Sequence, residues 1–303
     1  MRTAIILTTY NRPKLVRDAI ASVLEQKDQD WRLYIMDDGS NDTARDAIAD
    51  AIDGHRFDLV KDAEVASEHW HSRIVWYQGP DRSAVERKRT ISYSRSINLA
   101  LNCLLREESL VAYVCDDDYL YPEAIGARAD YLQAHPAIHV VWGRSRSVEY
   151  DTAGFNKWGS PDAPVPGRSY PRPTGRRELL HNGGAAKTYF VKGERDPATG
   201  LDYVEEAFWQ SGDWWYGRPF HHDHNQVMHR RECLETCRPV WFGEADAGGT
   251  QYWGEDLKTW AVGDKAFFTL LGQVHPFRAV DAWCVTKRYH SGSDGVQTGP
   301  VRE

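Results

Sequence analysis

The chain has 303 residues, and 37 lysines and arginines set against 44 aspartates and glutamates leave a net charge of −7. That length allows one large domain or two fused halves whose core needs no disulfide or metal staple. Hydrophobic residues at 41% and charged residues at 27% exclude wholesale disorder, and the negative balance argues against a protein that coats nucleic acid.

Ala4–Thr8 is a short, β-branched apolar run, which predicts a strand buried on both faces. Asn11 is placed to cap a following helix that has Pro13 in its first turn and Leu15, Ile20, Val23 and Leu24 at helical spacing. Leu33–Met36 predicts a second strand, broken by Asp37-Asp38-Gly39-Ser40, after which Ser40 or Asn41 opens an alanine-rich helix. Ile74–Tyr77 reads as a third strand, followed by a long helix from about Ala84 to Leu105. Leu110–Cys115 reads as a fourth strand running straight into Asp116-Asp117-Asp118. Pro122 starts another helix, and Ile138–Trp142 is the fifth strand. Such alternation predicts an α/β fold with a mostly parallel sheet and helices on both faces. Ligands of these sheets bind beyond the carboxyl ends of the strands. Thr8–Arg12, Asp37–Ser40 and Asp116–Asp118 all fall at such ends.

From about Asp151 the composition changes. Proline and glycine crowd Gly154–Gly175, which reads as an irregular excursion, and the later part is rich in tryptophan with few strand signals. The expected division is therefore 1–145 and 146–303. No apolar stretch approaches the ~20 residues of a membrane-spanning helix, and the polar Thr8–Arg12 follows Met1 too closely for a signal peptide. The five cysteines are odd in number and form no C-x-x-C pair, so reduced thiols and a cytoplasmic location are expected. Cys233 and Cys237 read as two thiols on one helix face.

Three adjacent carboxylates repel one another, so Asp116-Asp117-Asp118 needs solvent or a cation nearby. Oxygen-only ligands suit magnesium or manganese completed by phosphates. An acidic turn at the N-terminus of the next helix is the other reading; the place at a sheet edge favours the cation. Glycine-rich phosphate loops of the Walker or Rossmann kind are absent. A nucleotide diphosphate here would be held by metal and side chains.

Thr8-Thr9-Tyr10-Asn11-Arg12-Pro13, then Met36-Asp37-Asp38-Gly39-Ser40, then Tyr113 to Pro122 through the acidic triplet, resemble in order and spacing a family-2 glycosyltransferase of the GT-A fold, and within it the spore-coat polysaccharide type. Ser96-Ile97-Asn98-Leu99-Ala100, His135-Pro136 and the stretch from Asp223 to Arg230 resemble the same group. The resemblance implies a nucleotide-binding half and a smaller acceptor-binding half. It gives Tyr10 a stacking role against the base, Asp38 a uracil or thymine ring N–H, and Thr9, Arg12 and Arg87 the same pocket. Asp116 would hold the ribose, while Asp117 and Asp118 would bind a divalent cation, Mn2+ or Mg2+, with His290 as a further ligand. Cys115 stands where the family's D-x-D usually has an acid. Tyr10 as core and Arg12 as a solvated helix residue are the plain alternatives.

An inverting transfer also needs a carboxylate to deprotonate the acceptor hydroxyl. Gly254-Glu255-Asp256-Leu257 resembles the family's acidic pair, with Asp256 as base and Glu255 as the alternative. His221-His222-Asp223-His224 lacks the spacing of a zinc site; Asp223 and His224 read better as sugar-hydroxyl contacts. Trp215 and Trp253 are placed to pack on a sugar ring. The implied activity is metal-dependent inverting transfer from a UDP- or dTDP-sugar to a saccharide or other hydroxyl acceptor. A retaining transferase on this fold and a non-catalytic nucleotide-sugar-binding module are the alternatives. No nucleic-acid partner is expected, and the sequence leaves the oligomeric state open.

Overall fold

The structure, a computed structural model, describes residues 1–61, 70–83, 86, 92–149, 185–189, 206–211, 214–216, 224–238, 244–245, 248–255, 264–275 and 277–289. In chain order these form β1 (Thr3–Thr9), α1 (Pro13–Leu24), β2 (Trp31–Asp37), α2 (Asp42–Ala51), β3 (Phe57–Lys61), β4 (Ile74–Gln78) and α3 (Ser92–Leu99). A π-turn, Ala100–Leu104, continues α3 into β5 (Leu110–Cys115), β6 (Asp118–Leu120), α4 (Ala124–Ala134) and β7 (Val140–Glu149). Then come β8 (Ala185–Tyr189), β9 (Glu206–Ser211), β10 (Trp214–Tyr216), a 3₁₀ turn (His224–Gln226), β11 (Val227–Arg230), α5 (Cys233–Thr236), α6 (Asp264–Val274) and β12 (Phe277–Tyr289).

Nine strands make one sheet in the order β3-β4-β2-β1-β5-β11-β7-β12-β6, and β10-β9-β8 make a small antiparallel one. From β3 through β5 every neighbour is parallel; β11 runs antiparallel between β5 and β7. β1 is buried along its whole length, as a continuous apolar run requires. Its alternate residues serve two cores. Ile5 and Leu7 pack with Val16 and Ile20 of α1, Ile48 of α2 and Ile125 and Leu132 of α4. Ala4 and Ile6 share the other core with Ile97 of α3 and Phe267 and Leu271 of α6. The sheet thus has helices on both faces, as the alternation predicts. The division expected at 145/146 falls inside β7, and strands from both sides of it share the large sheet.

Asn11 does not cap α1. It sits at φ 51°, the left-handed region that asparagine tolerates, and its Oδ1 accepts from the Asn41 N–H at 2.7 Å. The Asn11 N–H in turn donates to Ser40 Oγ at 2.9 Å, so the residue ties the end of β1 to the end of β2. The following helix begins on Pro13 instead. Asn41 does cap α2, accepting from the Ala44 N–H at 3.0 Å. The helix expected over 84–105 is described from Ser92, and its end loosens into the π-turn. Cys233 and Cys237 are both buried free thiols, as expected.

His229 on β11 is fully buried between Tyr113 and its own strand. The Arg230 carbonyl accepts only, so at 2.8 Å it fixes the proton on Nδ1. Nε2 then accepts from the Tyr113 hydroxyl at 2.8 Å. Burial holds this imidazole down to about 4. Because the unfolded chain takes up that proton near 6.5, its protonation draws the equilibrium toward unfolding as pH falls from 6.5 to 4. His229→Gln keeps a donor and an acceptor but does not titrate. Urea titrations should find the stability advantage of wild type over this variant shrinking by about 2 kcal/mol between pH 6.5 and 5. A constant difference would refute the neutral buried imidazole.

Candidate active site

Parallel pairing brings the ends of β1, β2 and β5 to one edge of the sheet. Backbone bonds then stitch the three ends together. The Asp38 N–H donates to the Thr9 carbonyl at 3.0 Å and the Asp116 N–H to the Thr8 carbonyl at 3.2 Å. The Gly79 N–H reaches the Asp37 carbonyl at 2.7 Å. A Cβ at Gly79 would stand 2.9 Å from that carbonyl oxygen, so only glycine fits this approach.

Asp116 lies at the centre and is 4% exposed. Its carboxylate accepts from Thr9 Oγ1 at 2.9 Å, from the Tyr10 N–H at 3.4 Å and from Arg12 Nη1 at 2.8 Å. Burial pushes this carboxyl up to about 6, against the pull of Arg12, and the charge of Asp117 adds to the rise. The same Arg12 nitrogen donates to Asp117 Oδ2 at 2.8 Å. Burial works against the guanidinium charge, but the two carboxylates outweigh it and hold Arg12 above its ordinary value. Tyr10 projects from this group with 37% exposure.

Asp118 points elsewhere. Its carboxylate accepts from the Asn225 side-chain amide, and Asn225 Oδ1 accepts from the Cys115 N–H at 2.9 Å. The 3₁₀ turn that carries His224 and Asn225 is therefore pinned under the end of β5. Cys115 Sγ lies 2.9 Å from His224 Nε2. Burial pushes the thiol up to about 12, so it keeps its proton and donates it to the ring nitrogen. One ligand atom each from Cys115, Asp117 and Asp118 falls within 4.8 Å of the others. The two hard carboxylates suit magnesium or manganese, for which a protonated thiol is a poor ligand.

Asp38, assigned to a pyrimidine N–H, is buried and has Arg82 Nη2 2.5 Å from both of its oxygens. A base that reaches Asp38 must displace Arg82 or share the carboxylate with it. Trp253, placed against an acceptor sugar on its position in the sequence, has no exposed surface. It packs edge-on to His224 with ring centroids 5.3 Å apart and against Tyr113 at 5.0 Å. Glu255 is also buried, and its Oε1 accepts from Asn98 Nδ2 at 2.7 Å. Trp215 sits in β10 opposite Gln210. Arg87, Asp223, Asp256 and His290 lie outside the described residues. The sequence motifs leave out Arg82 and hold Asn98 and Asn225 only as members of the Ser96–Ala100 and Asp223–Arg230 stretches, with no role of their own; for Asn98 the signal is an amide among Ile97, Leu99 and Leu101 on a helix.

This mixed sheet, with the polar ends of β1, β2 and β5 gathered at one edge and an acidic triplet after β5, has the GT-A fold. Residues 4–191 match the profile of glycosyl transferase family 2, and the chain belongs to that family. It is 24% identical over 280 residues to protein CgeD of Bacillus subtilis (strain 168), covering 92% of this chain and 48% of that protein. It is similar in structure to residues 1–349 of S. aureus TarS, with a TM-score of 0.54 at 14% identity, covering 95% of this chain and 60% of that one. The same TarS segment in complex with UDP-GlcNAc matches with a TM-score of 0.54 at 13% identity, over 96% of this chain and 60% of that one. The chain thus spans about half the length of CgeD and three-fifths of the TarS segment.

Proposed function

We propose that this chain is a metal-dependent inverting glycosyltransferase, acting in the cytoplasm, that moves a sugar from a UDP- or dTDP-sugar to the hydroxyl of a saccharide or other acceptor. The observation that carries this reading is the convergence of Thr9, Tyr10 and Arg12 on Asp116, with Asp117 beside it, at the edge where such sheets bind ligands. The TarS segment has been solved with UDP-GlcNAc and with UDP, which favours uridine. No helix among the described residues is long and apolar enough to cross a membrane.

In this reading Tyr10 stacks on the base, and Thr9, Asp38, Arg82 and Arg87 line its pocket. Asp116 accepts from a ribose hydroxyl. Asp117, Asp118 and His290 would hold a divalent cation, which would supply positive charge for the diphosphate leaving group. Arg12 orients Asp116 and Asp117 together through one nitrogen. Asp223, His224 and Trp215 face the sugars. Asp256 takes the acceptor proton as the new bond forms.

Asp117→Ala tests the cation site. Wild type should gain about 2.7 kcal/mol from manganese and UDP at a hundred-fold excess over Kd. The variant keeps Thr9 and Tyr10 on Asp116 but should lose the manganese-dependent part of that gain in thermal-shift titrations. Equal gains in both proteins would overturn the assignment.

A further inference from the structure

Asn98 and Asn102 lie four residues apart at the junction of α3 and the π-turn, on one face of the helix. Both amides turn toward the same passing segment. Asn98 Oδ1 accepts from the Trp253 N–H at 2.8 Å, and Asn98 Nδ2 donates to the Trp253 carbonyl at 2.7 Å. Asn102 repeats the pattern three residues earlier in that segment. Its Oδ1 accepts from the Thr250 N–H at 2.9 Å, and its Nδ2 donates to the Thr250 carbonyl at 2.8 Å. Each side-chain amide thus pairs with one residue's N–H and C=O, much as a neighbouring strand would.

The two rungs are tied to each other and to an acid. Asn102 Nδ2 also donates to the Asn98 carbonyl at 2.8 Å, and π-turns of this kind are frequent at functional sites. Asn98 Nδ2 reaches Glu255 Oε1 at 2.7 Å, and Gln251 Oε1 accepts from the Glu255 N–H at 3.3 Å. Gly249 makes the approach possible. It has a φ of +82°, and a Cβ there would lie 2.5 Å from Asn102 Oδ1. Asn98 is fully buried, where an amide is retained only if its bonds are made. A leucine at either position would serve packing alone.

We propose that Asn98 and Asn102 form a two-rung clamp that fixes Thr250, Trp253 and Glu255, and so positions the acidic pair that activates the acceptor. This rests on the inverting-transferase reading above. Glu255 is the clamped member of the pair, and Asp256 is the next residue along the chain. A shift near 1 Å in such a group costs ~10²-fold in rate.

Asn98→Ala, Asn102→Ala and Gly249→Ala are compared with wild type. Release of the nucleoside diphosphate, UDP or dTDP, is measured from a panel of UDP- and dTDP-sugars, UDP with manganese is titrated by thermal shift, and hydrogen exchange is followed at the Thr250 and Trp253 amides. Asn98→Ala should lower kcat by ~10²-fold and Asn102→Ala by ~10-fold, with UDP affinity within ~2-fold of wild type. The amide facing the missing asparagine should exchange faster. Asn98→Asp sets a carboxylate against Glu255 and should be worse than alanine; adding Glu255→Gln, which supplies a donor, should restore part of the loss. If Asn98→Ala does not fold, Asn102→Ala and Gly249→Ala carry the test. Freed amides with undiminished kcat would overturn the clamp alone. A wild type that turns over no donor would overturn the transferase reading itself.

Discussion

Asp256→Asn should lower kcat by ~10²–10⁴ while leaving UDP binding nearly unchanged, because it keeps the shape of the side chain and removes its basicity. Glu255→Gln, made in parallel, should cost far less. Its amide oxygen still accepts from Asn98, and the native carboxylate is buried against that asparagine in any case. A reversed ranking would move the base by one residue and leave the inverting mechanism standing. Two fully active variants would remove the mechanism, as would an NMR spectrum in which the product keeps the donor's anomeric configuration.

Arg12→Met should be the most damaging substitution for stability at the site. The native guanidinium lies 2.8 Å from both Asp116 and Asp117, and methionine removes that charge from between the two acids. Breaking a buried pair costs 3–5 kcal/mol when the partner charge stays behind. The lower end, about 3 kcal/mol, applies here, because Arg12 and Asp117 keep 22% and 18% of their side-chain exposure. Manganese supplies a replacement charge and should stabilise the variant more than it stabilises wild type. Urea midpoints with and without the ion measure both effects. A loss below ~0.5 kcal/mol would mean that Arg12 is an ordinary solvated helix residue.

The sheet edge was legible because buried parallel strands read as unbroken apolar runs, and each of those runs ends abruptly in polar residues. Ala4–Thr8 and Leu110–Cys115 located β1 and β5 within a residue or two. β3 was invisible because an edge strand needs no apolar continuity: Phe57 and Leu59 are exposed, and Asp58 and Lys61 break the apolar run. β6 is three residues long and partly acidic, and β11 carries His229 and Arg230, whose polar ends find partners only in the folded sheet. The acidic triplet announced itself by charge repulsion. The asparagines that organise the site did not, since an amide on a helix looks the same whether it faces water or a backbone. Trp253 misled for the opposite reason: its neighbours in sequence suggested a sugar platform, and its packing against His224 and Tyr113 is a matter of the third dimension.

The insertion of β11 between β5 and β7 has a consequence for how the molecule is made. Tyr113 and His229 meet although 116 residues separate them. During synthesis the parallel half of the sheet can assemble early, but β5 then waits with a bare edge until Val227–Arg230 has been translated. Such an edge invites pairing with other chains. Distant contacts also fold slowly, because the loop must close before the contact repays it. β11 is therefore the last stave between β5 and β7, and a chain cut short before it would leave the ribosome with an open seam.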